Sequence, residues 1–451
     1  GGERSWCIAF SGGGIRSATF SIGVMKALYD AGYMDSVGII SSVSGGGYAS
    51  YWLFRRQLDP ANAGLRFGEP VFSNARFDQS ICELGATGSF QTPGDVVGSI
   101  LNSDSFDKYR WSIRRSFGFD ESQASREPGL SDAAIATSTG AVPLFILNAT
   151  IDAPSRGKFP NVLEISPEFF GSPSIGYHSW VRGDTLPAWS EAVAISGAAV
   201  APLKRFVRNY STPAQNDSVR VWDGGESENL GVLSLIRRHM KTIVLVDGEH
   251  DPDYAFAGYF ILKNLLPAEG FSISVPAIDA FISSRPNPHM RFDVDGVLQG
   301  IVVSAGKDGA KPDTSRLFYV KLARPKAVEV LIDSSSAMYT DGQRYQNRID
   351  SLVKAADKTS RSMNKCGALT DHVDGFRRET AVYNVAKYAR LVDMLVSKEL
   401  SGKGPNFLRY DFPQTTTAIQ SFDTDQLRAF IGLGYLEAVD IGRLAARTSN
   451  R

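Results

Sequence analysis

The segment SVGIISSVSGGGYASYWLFRRQL, residues 36–58, changes its periodicity halfway along. Val37 to Val43 is a short apolar run of the kind that makes a buried strand, and the residues after Gly45 read as a helix. Between them stands Ser42-Val43-Ser44-Gly45-Gly46. This is the outline of a nucleophile elbow, G-x-S-x-G, with serine in the first small-residue place. A residue on such a turn is flanked closely by strand and helix, so its neighbours must be small, as Ser42, Gly45 and Gly46 are. A helix N-terminus behind Ser44 favours a developing negative charge. The same residues also suit an ordinary glycine loop capping a helix, and the motif alone does not separate the two. Ser41 and Ser42 lie on the strand side; only Ser44 is followed by the glycines that turn the chain into the helix.

Outward from this turn, strands and helices alternate. Upstream, SWCIAF (5–10) reads as a strand, SGGGIRS (11–17) as a glycine loop, and ATFSIGVMKALYDAG (18–32) as a helix. In that helix Phe20, Val24, Leu28 and Ala31 recur at helical spacing, and Gly32 closes it. Downstream, residues 59–140 are rich in Gly, Ser, Asp and Pro with broken periodicity, and read as a lid-like insertion of short helices and loops. AVPLFILNATIDA (141–153) returns to a buried strand, LPAWSEAVAISGAAVAPL (186–203) to a helix, and SVRVWDGG (218–225) to a strand with Asp223 at its exit. NLGVLSLIRRHM (229–240) reads as a helix and KTIVLVDGEH (241–250) as a strand. The alternation predicts an α/β fold with a parallel or mixed sheet covered by helices on both faces. Past about residue 270 the pattern weakens to a strand, SRLFYVKLA (315–323), a long amphipathic helix, TAVYNVAKYARLVDMLVSKEL (380–400), and a shorter one, DTDQLRAFIGLGYLEA (423–438). The expected organisation is a catalytic body over 1–330 and a helical region, 331–451, packed on it.

Composition sets the outer limits. The chain has 451 residues, 43% hydrophobic and 21% charged, which supports a large core. Lys+Arg and Asp+Glu balance at 48 each, so no basic excess points to nucleic acid. Three separated cysteines, Cys7, Cys82 and Cys366, form neither a disulfide framework nor a C-x-x-C metal pattern. No apolar run approaches the roughly 20 residues that span a bilayer. The chain starts GGERSWC without a methionine, so a removed N-terminal anchor or signal stays compatible with the cytoplasmic, peripherally membrane-bound location expected here.

Ester hydrolysis by serine needs an exposed nucleophile with a base beside it, N–H groups aimed at the oxyanion, and a proton for the leaving group. Ser44 meets the first need. SGGGIRS meets the second, because three successive glycines between strand and helix can turn several N–H groups to one anion. A nucleotide loop is the rival for this segment, but G-x-G-x-x-G here ends in Ser17 and no G-K-[ST] follows. DGGESENLG (223–231) meets the third need: Asp223 leaves a strand before two glycines, and burial would raise its pKa toward that of a base. Glu226 and Glu228 read as surface or loop-ordering residues, and Asn229 as a helix cap. An acyl-chain pocket or membrane-facing rim could draw on YWLF (51–54) and YAFAGYFILKNLL (254–266), though each alone reads better as core helix.

Together and in this order, the three segments resemble the patatin-like and cytosolic phospholipase family of serine acyl hydrolases, in a bacterial-type form. SGGGIRSATFSIGVMKALYDAGYMD, LEISPEFFGSPSIGY, DGGESENLGVLSLIRRHMKTIVLVDGEHDPD and DFPQTTTAIQSFDTDQLRAFIGLGY carry the resemblance beyond the short motifs. It implies a three-layer α/β/α fold with a central, mostly parallel mixed sheet, and a Ser-Asp dyad without histidine. Ser44 would be the nucleophile and Asp223 the base and acid. Gly12, Gly13, Gly14 and Gly45 would supply oxyanion N–H groups, and Arg16 would steady a phosphate or the oxyanion. No metal or cofactor is implied. The implied substrate is a phospholipid or other acyl lipid at a membrane surface, with an activator protein unspecified. DVDG (293–296) is too short for a calcium loop. Two alternatives remain: a Ser44-Asp223-His250 triad in α/β-hydrolase order, and a catalytically silent lipid-binding protein.

Overall fold

A computed structural model describes residues 4–87, 105–118, 127, 129–152, 161–180, 187–199, 203, 205–208, 218–284, 292, 296–305, 312–323, 413, 414, 417, 420, 422 and 424–449. The predicted helix over 380–400 and Cys366 lie outside these residues.

The first strand, β1 (Trp6–Phe10), shows why the core is two-sided. Trp6, Ile8 and Phe10 enter one apolar cluster, while Cys7 and Ala9 enter a second on the opposite face. A strand buried on both faces needs a continuous apolar run rather than an alternating one, and WCIAF is such a run. Helix α1 (Gly14–Asp30) follows, then β2 (Val37–Val43) and helix α2 (Gly45–Gln57). The remaining strands are β3 (Leu144–Asp152), β4 (Val162–Ile165), β5 (Phe169–Ser172), β6 (Gly176–Ser179), β7 (Arg205–Arg208), β8 (Ser218–Asp223), β9 (Thr242–Asp247), β10 (Phe271–Ser274), β11 (Leu298–Ser304) and β12 (Asp313–Lys321).

All twelve strands belong to one mixed sheet, ordered β10-β11-β12-β9-β1-β2-β3-β4-β5-β6, with β8 paired to β3 and β7 to β8. The predicted α/β architecture is therefore present. Its parallel part is the centre, β12-β9-β1-β2-β3, and both flanks are antiparallel.

The register at β3 places the site. Residues 144–148 of β3 pair with β2, ending at Asn148 opposite Val43. On its other side β3 pairs with β4 over Leu147–Thr150. Strand β8 pairs antiparallel with Ala149–Asp152, starting from Asp223 opposite Ala149. Since Ala149 and Thr150 already have β4 on one side, β8 must lie on the side of β2. Strands β2 and β8 thus share one lane of the sheet and meet end to end, one β3 residue apart.

Helix α2 is core: Tyr51, Trp52, Leu53 and Phe54 are all buried, and Phe54 stacks on Trp189 with ring centroids 4.4 Å apart. The YWLF stretch is therefore structural filling. In the insertion, the helices Asn74–Thr87 and Ser105–Ile113 send Phe77, Ile81, Phe106 and Ile113 into the same cluster as β1. The helix Thr424–Ala438 lies directly on α1. A Cβ on Gly23 would strike Ile431 O, and one on Gly434 would strike Phe20 O, so the two backbones touch where glycine permits it. The helix expected over 229–240 shrinks to one turn, Leu233–Ile236, followed by His239 at φ 52°. The buried Glu228 carboxylate takes the N–H groups of Leu230 (2.8 Å) and Leu233 (3.1 Å), which fixes a loop where helix was expected. No described helix is long and apolar enough to cross a membrane.

Candidate active site

Ser44 stands at the joint of β2 and α2 with φ 45° and ψ −114°. A non-glycine residue held at positive φ stores roughly 1–3 kcal/mol of strain, and such residues cluster at functional turns. Packing over-determines the conformation. The Ser44 N–H donates to Ser196 Oγ at 2.8 Å, and Ser196 Oγ donates onward to Asn148 O at 2.6 Å. The Ser44 carbonyl accepts from Gly47 N (2.8 Å), and Gly46 N donates to Ser11 O (3.1 Å). The glycines serve close approach. A Cβ on Gly45 would run into the backbone N and O of Gly14, and one on Gly46 would lie 2.6 Å from Phe10 O. Ser42 is buried with its hydroxyl 3.0 Å from that of Ser50, and Ser41 Oγ donates to Gly231 O at 2.5 Å. Both neighbouring serines are thus engaged in structure, and Ser44 alone faces the lane junction.

Asp223 comes to that junction on the end of β8. Its carboxylate accepts the Gly225 N–H at 2.7 Å, and the Ser44 side chain is among the groups that act on its ionisation. Burial is the larger influence and pushes the acid up to about 6; the Gly225 amide and the Ser44 side chain pull the other way, and Glu226 adds to the rise. Gly224 is required because a Cβ there would meet Asn148 O. His250, the third member of the triad alternative, is exposed and is not among the groups acting on Asp223.

The glycine loop faces the same junction. Gly13 and Gly14 adopt φ 135° and 62°, conformations open to glycine and costly for other residues. Gly12 departs from the expected role: its N–H donates to Asn229 O at 2.8 Å and so is not available to an oxyanion. Among the described residues no acceptor is bonded to the amides of Gly13, Gly14 or Gly45. Arg16 also departs from expectation. It is 1% exposed, its Nε donates to Gly248 O (3.1 Å) and its Nη2 to Thr417 Oγ1 (3.2 Å). Burial lowers it to about 10, against the pull of Asp247 and Glu249. The arginine braces the loop from behind instead of lying open to a phosphate.

Several residues at the site carry no motif. Ser196 and Asn148, which hold the strained turn, come from the helix Trp189–Ser196 and from β3. Tyr48, one helical turn beyond Ser44, is bonded hydroxyl to hydroxyl with Tyr109 of the insertion, and Tyr109 donates to Gly197 O at 3.0 Å. Burial pushes both phenols up, and both feel the charge of Asp223. The i, i+4 spacing of Ser44 and Tyr48 was the available signal. Behind the glycine loop lies a buried ionic turn: Lys321 Nζ sits 2.9 Å from Asp247 Oδ2 and 3.0 Å from Asp251 Oδ2, and the Tyr319 hydroxyl also bonds Asp247. Among the described residues no group of three or more His, Cys, Asp or Glu side chains could hold a metal ion.

Among solved structures the chain is similar to human GIVD cytosolic phospholipase A2, with a TM-score of 0.57 at 14% identity over 98% of this chain and 60% of that one. The same protein in complex with methyl gamma-linolenyl fluorophosphonate gives a TM-score of 0.52 at 15% identity, over 98% of this chain and 58% of that one. The chain therefore spans about 60% of that protein's length. No family model and no curated protein matches it. At these identities the likeness is one of fold.

Proposed function

We propose that the chain is a lipid acyl hydrolase of the phospholipase A or lysophospholipase type, working through a Ser44-Asp223 dyad. The observation that carries this reading is the end-to-end meeting of β2 and β8, which delivers a strained serine against a buried carboxylate, beside glycine amides that have no acceptor among the described residues. Above pH 6 Asp223 is largely ionised and takes the Ser44 proton as the hydroxyl attacks an acyl ester carbonyl. The amides of Gly13, Gly14 and Gly45 stabilise the tetrahedral oxyanion. Asp223 then returns the proton to the departing lysolipid oxygen, and water, deprotonated by the same carboxylate, releases the fatty acid. A buried carboxylate near pH 6 suits both directions of transfer, because a proton-transfer group works best with a pKa near the working pH. The likeness of fold to a phospholipase supports an acyl lipid as substrate, met at a membrane surface.

The test is release of fatty acid from phospholipid vesicles, together with mapping of a fluorophosphonate adduct. Ser44→Ala should lower release by about a thousandfold or more while leaving the melting curve in place. Folded wild type that takes no adduct on Ser44, or undiminished release by Ser44→Ala, refutes the reading.

A further inference from the structure

The glycine loop and the base turn are far apart in the sequence, yet one side chain touches both. A Cβ on Gly12 would collide with Asn229 Oδ1, and one on Gly225 would lie 2.6 Å from the same atom. The backbone carbonyl of Asn229 takes the Gly12 N–H at 2.8 Å. Asn229 therefore sits in a slot whose two walls are the residue preceding the oxyanion glycines and the residue whose N–H holds the Asp223 carboxylate. Its amide is held from outside: Asn229 Nδ2 donates to Glu249 Oε1 at 2.6 Å.

Glu249 in turn belongs to the turn that braces the loop. Gly248 N donates to Ser11 Oγ at 2.7 Å, Gly248 O accepts from Arg16, and Glu249 N donates to Asp247 Oδ1 at 3.0 Å. From these contacts we infer that Asn229 is a positioning residue, clamped by Glu249, that sets the distance between the oxyanion glycines and the catalytic base. The inference rests on the hydrolase reading above and adds to it a residue that touches neither substrate nor the reacting atoms.

The clamp has a titratable end. Burial first, then Asp247, push Glu249 up to about 7, against the pull of Lys321 and the Asn229 hydrogen bond, with Asp251 adding to the rise. The charged and titratable groups facing it are Asp247 and Asp251 on its own turn, Lys321 and Tyr319 from β12, and Arg16 from α1. The helix Ala257–Leu265 meets it through the backbone of Gly258. A carboxylate makes a charge-assisted bond to the Asn229 amide, about twice as strong as that of the neutral acid. As pH falls through 7 the clamp weakens, just above the range in which Asp223 itself becomes protonated.

Hydrolysis of a soluble p-nitrophenyl ester and the rate of fluorophosphonate labelling of Ser44 test this with the whole chain. Asn229→Ala should lower kcat about 10- to 100-fold with KM within about threefold, since positioning of the oxyanion donors acts on the transition state. Glu249→Gln keeps an acceptor for Asn229 but does not titrate. With a neutral acceptor at every pH it mimics the weakened clamp, so its kcat/KM should lie a few-fold below wild type at pH 8, and the two profiles should converge as pH falls through 7. Asn229→Asp sets two carboxylates against each other and should be slow, while the double variant Asn229→Asp, Glu249→Gln exchanges donor and acceptor and should recover activity. A folded Asn229→Ala with unchanged kcat overturns the inference. If that variant does not fold, a Glu249→Gln pH profile superimposable on wild type overturns it. Folded wild type inert to the probe at Ser44 instead sinks the hydrolase reading.

Discussion

Asp223 and Asp251 are buried alike, 8% and 7% exposed, and are driven in opposite directions. Asp223 has the Gly225 amide and the Ser44 side chain acting on it and, among the described residues, no cation, and is raised to about 6. Around Asp251 burial also pushes upward, but Lys321 at 3.0 Å and the amides of Ala255 and Phe256 win, and the acid falls below its ordinary value. The difference is not depth but company. The buried Lys321 lies under the glycine loop, where charge has only to be held, and among the described residues no cation faces the carboxylate proposed as the base.

Removing the cation should make the second aspartate behave like the first, at high cost. Lys321→Met leaves Asp247, Glu249 and Asp251 facing one another with Arg16 as the remaining cation beside them. Breaking a buried pair in this way destabilises by about 3–5 kcal/mol; a chemical denaturation midpoint near that of wild type would contradict it.

Removing the unpaired charge should do the reverse. Asp223→Asn ends a penalty that the raised acid imposes on the folded state. The penalty is absent below the ordinary value of 3.8, grows as pH rises toward about 6, and is constant above. Its full size is on the order of 3 kcal/mol. The variant should therefore melt above wild type at pH 8, match it near pH 3.5, and hydrolyse almost nothing. Melting curves at the two pH values, with the activity assay beside them, check both halves.

Backbone strain adds a smaller contribution at the same place. Ser44→Gly relieves the positive φ, and after the entropy of glycine is counted should gain about 1 kcal/mol while abolishing activity. Equal denaturation midpoints for Ser44→Gly and Ser44→Ala would mean that the turn is not strained. The smallest effect belongs to His250→Ala. Because the imidazole is not among the groups acting on Asp223, kcat should stay within about twofold of wild type, whereas a triad histidine would cost several powers of ten.

Much of this site could be read from the chain. Gly-Gly after Ser44 and Gly-Gly after Asp223 betray close backbone approach, and the structure finds both at the lane junction. What could not be read depends on contacts between distant segments. Lys321 is one lysine among many until β12 is laid beside β9 and Lys321 falls opposite Asp247. Asn229 has the residue type of a helix cap, and only the folded chain shows its amide spent on Glu249. Arg16 has the spacing of an anion-binding arginine, but rotamer and burial decide where a guanidinium points, and here it points to Gly248. The parallel centre of the sheet followed from alternating strands and helices; the antiparallel flank β4-β5-β6 came from short strands of four residues with little periodicity.

The doubly used edge of β3 works as a ruler. Five of its residues measure out β2, and the next one receives the end of β8. One residue inserted between Asn148 and Ala149 would carry the base about 3.3 Å along the sheet and turn its side chain to the opposite face. Every other contact of β8 could then be satisfied and hydrolysis would still be lost. The spacing between the proposed nucleophile and base is therefore stored as a count of residues in a strand that contributes no side chain to the proposed dyad.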